Sequence, residues 1–300
     1  MTRQTYQQSL FLDDRFSAAG NQQHVVSLAK VQQQLESVSV LPATWIFHVG
    51  HCGSTYLSRM LEQLGGLLAL REPLPLRALA AFNRDLNDPL SLMNPVDFDQ
   101  WLDVVVSLLT RRYDANLATV VKATSDCAPL AKALLATHSE HRALRVSLSL
   151  EQYLKTMLRS DLRRQELMHF AQSRLADLHA INLATEVRIY ELSAGELAAM
   201  CWLSVSRVLG DMGGGHTLDV DFDQFLAQPE ASLATIAEFL GLTTDPVDIE
   251  KVASGEVAKG YSKDPSMGYN GEIRAQELAA SANANGDQID AGLRWAQQFS

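Results

Sequence analysis

The chain has 300 residues, enough for one large α/β domain or two small ones, and either can bury a full core. Hydrophobic residues at 47% and charged residues at 20% exclude general disorder. With 25 Lys and Arg against 35 Asp and Glu, the net charge is −10. That balance excludes the broad basic face of a duplex nucleic-acid binder, yet leaves room for a local basic pocket around a small anion. Cys52, Cys127 and Cys201 are odd in number and far apart, forming neither a disulfide framework nor a CxxC metal pair. They suit a reducing compartment. No apolar run reaches the roughly 18 residues of a membrane span. The N-terminal MTRQTYQQSLFLDD lacks the basic start and apolar stretch of a signal peptide. A cytoplasmic protein is expected, and nothing in the sequence specifies an oligomeric state.

In chain order, residues 1–40 read as a polar, Gln-rich N-terminal helical extension. Its apolar positions Val25, Val26, Leu28, Ala29, Val31 and Leu35 fall on one helix face, and Pro42 ends it. Residues 41–300 read as a single domain with a loop-rich tail. Ala43–Val49 is a short apolar, β-rich run of the kind buried in parallel sheets. A tight turn, Gly50-His-Cys-Gly-Ser54, follows at once, then a helical pattern from Thr55 to Leu64, stopped by Gly65-Gly66. Leu67–Leu70 is a second strand, ending at Arg71-Glu72-Pro73. Pro95–Arg112 is a helix with a buried stripe, Leu117–Lys122 a strand, Pro129–Thr137 a helix and Arg142–Leu150 a strand. One long basic helical region covers Glu151 to about Ala180. Ser193-Ala-Gly-Glu196 is a capping box opening the helix to Leu209. After a loop, Asp211–His216, come a strand at Thr217–Val220 and helices at Asp221–Ala227 and Pro229–Leu240, with weaker ones at Pro246–Ser254 and Glu272–Ala282. This alternation predicts a three-layer α/β/α fold around a parallel sheet, of P-loop-like kind.

Parallel sheets bind ligands where strand ends meet helix N-termini. The segment IFHVGHCGSTYLSRM, 46–60, puts such a turn after the first clear strand. Gly50 and Gly53 let backbone amides approach an anion, Ser54 and Thr55 add hydroxyls, and the helix adds unpaired N–H groups at its positive end. The turn is a phosphate or sulfate cradle. It is not G-x-x-x-x-G-K-[ST], because Ser54 stands where that motif has Lys. An anion that travels without Mg²⁺ fits better.

His51-Cys-Gly-Ser-Thr55 resembles the 5′-phosphosulfate loop of the sulfotransferase family, whose members use 3′-phosphoadenosine 5′-phosphosulfate (PAPS). The stretch 218–241, LDVDFDQFLAQPEASLATIAEFLG, is similar to the strand and helix common in that family, and Arg71-Glu-Pro-Leu74 looks like the Glu-Pro segment of its carbohydrate-type members. The resemblance implies a sulfuryl transfer from PAPS to a hydroxyl of a small-molecule or carbohydrate acceptor, without metal. Gly50, His51, Cys52, Gly53, Ser54 and Thr55 would hold the 5′-phosphosulfate, with His51, if protonated, in place of the family's Lys or Arg. Glu72 would be the general base and Lys122, ending its strand, would add charge at the cleft. The family's Arg–Ser pattern for the 3′-phosphate is missing, leaving Arg145, Ser147, Ser149 and Lys155 as substitutes. The R-K-G-x-x-G loop of cytosolic members is also absent, with Ala258–Lys263 its nearest counterpart.

Plainer roles stand beside each of these. His51 could simply cap the turn, Glu72 and Arg71 could pair with neighbours, and Lys122 could snorkel to solvent. Arg159, Arg163 and Arg164 read as a solvated helix face more readily than as an anion site. Cys52 at a helix N-terminus could be a lowered-pKa nucleophile, but C-x-x-x-x-x-R fails by one residue. Neither His48/His51 nor His138/His141 has metal-site geometry. Gly213–Gly215 is a hinge candidate. Two other functions remain open: an ATP- and Mg²⁺-dependent phosphotransferase recruiting Lys122 or Arg59, and a nucleotide- or anion-binding module without turnover.

Overall fold

The strand at Ala43–His48 (β1) is buried at every position, as its apolar run requires of a strand inside a sheet covered on both faces. In the computed structural model, which describes residues 3–13, 25–35, 38–86, 88–212, 216–255, 257, 260–261, 264–268 and 271–299, β1 lies at the centre of the sheet. With β2 (Leu67–Arg71), β3 (Ala118–Lys122), β4 (Arg142–Ser147) and β5 (Thr217–Asp221) it makes five parallel strands in the order β2-β3-β1-β4-β5. Consecutive strands run to one side of β1 and then to the other, so the crossover reverses at β1. Loops part there and leave a crevice at the carboxyl edge.

Register fixes which side chains share a face. Ile46, Lys122 and Arg71 stand abreast, as do Phe47, Arg145 and Asp219 on the opposite face. The first face carries α3 (Ser54–Gln63): Arg71 donates through Nε to Ser58 Oγ at 2.9 Å and pairs with Glu62. The second carries α9 (Ala194–Gly210), whose Leu209 carbonyl accepts from Arg145 Nη1 at 2.8 Å. The architecture is therefore three layers, α/β/α.

At the N-terminus, α1 (Arg3–Gln8) and the chain after it lie along the exposed side of β2. Leu12 N–H donates to Arg71 O at 2.7 Å, Leu74 N–H donates to Leu12 O at 3.1 Å, and Arg71 Nη1 donates to Ser9 O at 3.2 Å. This segment covers the open edge strand. The described part of the next helix, α2 (Leu28–Leu35), lies by α5 (Pro95–Leu109), which opens on an Asn94 side chain accepting from Asp97 N–H at 2.9 Å. Between β2 and α5 lies α4 (Leu74–Asp85).

Three expectations are corrected by local chemistry. The long helix expected over 151–180 is two, α7 (Leu150–Leu158) and α8 (Asp161–Ala180), because Ser160 is extended at φ −152° and starts a new N-terminus ahead of Asp161. The strand expected to run to Leu150 stops at Ser147, since the Ser149 side chain caps α7 by accepting from Gln152 N–H at 3.3 Å. The helix expected from Pro129 begins as a 3-10 turn, Ser125–Leu130, and becomes α6 only at Ala131–Ala136. Beyond the sheet follow α10 (Phe222–Ala227), α11 (Pro229–Leu240) and α12 (Pro246–Ser254). A two-stranded ribbon pairs β6 (Gly260–Tyr261) with β7 (Asp264–Gly268). The final helix, α13 (Gly271–Gln297), is far longer than the segment expected and bends at Asn285. It crosses α9 so closely that a β-carbon on Gly195 would collide with the Gln288 carbonyl oxygen. Gly213–Gly215 and most of 258–263 lie outside the described residues.

Among the described residues no helix is long and apolar enough to cross a membrane.

Candidate functional site

The β1 ladder ends where Val49 N–H donates to Val146 O at 3.3 Å. The next four residues reverse the chain through three left-handed backbones: Gly50 at φ 88°, His51 at φ 49° and Gly53 at φ 72°. Gly53 is the N-cap of α3, and no side chain caps that helix. The turn therefore stands at the positive end of the α3 dipole. Gly53 is required twice, by its φ and because a β-carbon there would overlap the Phe222 ring. Phe222 is fixed in turn by stacking on Phe225, by the edge of Tyr56 and by the Arg274 guanidinium above it. The acidic-aromatic stretch after β5 thereby shapes the turn from behind.

Ser54 and Thr55 are buried in the first turn of α3. Cys52, read from the sequence as a possible low-pKa thiol, points the other way. It is fully buried, its Sγ–H donates to Val146 O at 3.4 Å, and desolvation pushes it up to about 11. Burial likewise pushes Cys127 up to about 11 and Cys201 up to about 12. At pH 8 roughly one Cys52 in a thousand is thiolate. An aromatic disulfide reagent at that pH is expected to label none of the three thiols on the folded protein within minutes. Rapid stoichiometric labelling of Cys52 would contradict this geometry.

His51 faces α8. Its Nε2 lies 2.8 and 2.9 Å from the two Glu166 oxygens, and its Nδ1 takes a hydrogen bond from Arg163 Nη1. The ring is thus held between Arg163 and Glu166 on α8. Arg163, expected on a solvated face, instead reaches the turn.

Lys122 does not snorkel. It is buried, with Nζ 2.5 Å from Glu72 Oε1. Glu72 itself has φ 53°, and its N–H donates to Lys122 O at 2.7 Å, so main chain and side chain both tie β2 to β3 at their carboxyl ends. Arg145 is not at the turn. It lies on the α9 face, in a bidentate pair with Asp219 (2.5 and 2.7 Å), and Asp219 holds it above its ordinary range. Ser147 ends β4 and the Ser149 side chain caps α7. His141 accepts from Ala43 N–H at Nδ1 and meets Thr137 at Nε2, a structural role at the start of β1.

A small cavity, partly open to solvent, lies between the turn and the helices of the α9 face. Val49, Gly50 and His51 form one wall and Ser125 a second; Tyr153 of α7, Glu166, Phe170 and Arg174 of α8, and Cys201 of α9 also line it. Glu166 and Arg174 were not singled out from the sequence. The available signal was the stripe Leu167, Ala171, Arg174, Leu178, a helical i, i+4, i+7, i+11 line whose members are all buried.

No family model matches the chain, and no curated protein matches it by sequence. Solved structures do. The chain is similar in fold to sulfotransferases. The sulfotransferase domain of the Synechococcus PCC 7002 olefin synthase aligns with TM-score 0.46 and 15% identity over 82% of this chain and 96% of that one. The sulfotransferase domain of the curacin biosynthetic pathway gives 0.43 and 15%, over 87% and 98%. Sulfotransferase STF9 from Mycobacterium avium gives 0.41 and 12%, over 85% and 80%.

Proposed function

We propose that the chain transfers a sulfuryl group from PAPS to a hydroxyl of a small-molecule or carbohydrate acceptor. The observation that carries this is the uncapped N-terminus of α3 beneath a turn with three left-handed residues and no lysine. The amides of 52–55 and the hydroxyls of Ser54 and Thr55 would hold the 5′-phosphosulfate. The acceptor oxygen attacks sulfur, the bond from sulfur to the phosphate oxygen breaks, and the hydroxyl proton passes to Glu72, which Lys122 holds in place. The leaving group is 3′-phosphoadenosine 5′-phosphate (PAP). An ATP-dependent alternative would need Lys122 or Arg59 on the phosphates, and the Lys122 ammonium is engaged with Glu72. A binding module without turnover is favoured by one observation, the engagement of Arg145 with Asp219 and α9.

Calorimetric titration separates these. PAP is expected to bind with micromolar Kd in the absence of metal and to weaken about tenfold in Ser54→Ala, the size of one charge-assisted hydrogen bond. Mg²⁺-dependent binding of ATP with PAP silent would replace sulfuryl transfer by phosphoryl transfer. Glu72→Gln should keep PAP affinity and lose turnover in an enzyme, and should leave ligand affinity unchanged in a binding module.

A further inference from the structure

The turn itself, residues 50–55, provides amides but contains no lysine or arginine. A buried cation stands across the cavity from it. Arg174 is 3% exposed, on the buried stripe of α8, and lines the same cavity as Gly50 and His51. Its Nη2 donates to Ser125 Oγ at 3.1 Å, while its Nη1 makes no hydrogen bond. The carboxylates nearest Nη1 are Asp177 at 3.6 Å and Asp126 at 3.8 Å. Arg84 holds both more closely, at 2.7 and 3.0 Å to Asp177 and 3.0 Å to Asp126. Arg174 is thus balanced in charge but short of an acceptor, and a buried N–H without an acceptor is destabilising until one arrives. Ser125 accepts from Arg174, which leaves its own hydroxyl proton to donate. Ser125 also borders the turn: its Oγ lies 3.5 Å from where a β-carbon on Gly50 would stand.

We propose that Arg174, with Ser125 beside it, binds the non-bridging oxygens of the donor's sulfuryl group, taking in space the place of the lysine the turn lacks. This rests on the donor proposed above. It differs from that proposal in what it requires: discrimination between PAPS and PAP, which differ only in the sulfuryl group. The wild-type chain is expected to bind PAPS about tenfold more tightly than PAP. Arg174→Met should bring PAPS to the affinity of PAP and leave PAP within twofold of wild type. Ser125→Ala keeps the guanidinium and should lose about threefold of the preference; it carries the test if circular dichroism shows Arg174→Met unfolded. A PAPS-to-PAP ratio unmoved in both folded variants would overturn the role of Arg174 while leaving the donor in place. So would equal weakening of both ligands. Absence of any PAP or PAPS binding by the wild-type chain would overturn the donor, and this proposal with it.

Discussion

Gly53→Ala is expected to destabilise the chain by about 3 kcal/mol and to abolish PAP binding. Two effects add. A non-glycine residue held in the left-handed region costs roughly 1–3 kcal/mol, and a methyl forced into a packed aromatic group costs about as much again. At φ 72°, and with the Phe222 ring where the β-carbon would go, Gly53 meets both. Phe222 has little room to retreat, being stacked on Phe225 and covered by Arg274. The control is Gly65→Ala, at φ 84° with nothing within 4 Å of its β-carbon. It should show the backbone effect alone, about 1 kcal/mol, and leave ligand affinity unchanged. Urea midpoints of the two variants measure the difference. Equal losses would mean that Phe222 yields freely and does not shape the turn.

The second large effect belongs to Lys122 and Glu72. Lys122 is almost wholly buried and Glu72 only slightly exposed, so removing one partner strands the other in a poorly solvated site. Lys122→Met is expected to cost about 3 kcal/mol, the lower end for breaking a buried pair, because Glu72 keeps some contact with water. The double variant Lys122→Met with Glu72→Gln should recover at least half of that loss. A double-mutant cycle by urea denaturation reads the coupling directly. Losses that simply add would show that the two groups do not depend on each other, and that Glu72 is not positioned by Lys122.

Much of the turn was legible because everything that makes it is local. A strand, two glycines three residues apart and a helix are contiguous between 43 and 63, and each follows from side-chain pattern and backbone freedom alone. The pairs around it were not legible. Glu72 and Lys122 are 50 residues apart and meet only because β2 and β3 are neighbours in register. Arg145 looked available for an anion, but β5 sets Asp219 directly beside it. The failure at α8 has a different cause. Arg159, Arg163 and Arg164 read as a solvated face, although Arg163 reaches His51 and Arg159 pairs with Glu277. Charge density alone does not say which way a helix turns; the apolar neighbours of each charge do.

The close crossing of α9 by α13 has a consequence for how the chain is made. Gly195 and Gly292 let the two backbones meet without side chains between them, and Trp295, Ile289 and Leu278 bury themselves from the same helix. Ser281 donates to Lys155 O at 2.7 Å, and Arg159 pairs with Glu277, so α13 also secures α7. Both α7 and α9 form walls of the cavity. During synthesis the ribosome must release residues 271–297 before those walls are secured. A growing chain that already contains the whole sheet and the whole turn is still without a finished pocket. A nascent chain stalled before Gly271 would carry the turn without the helix that secures those walls.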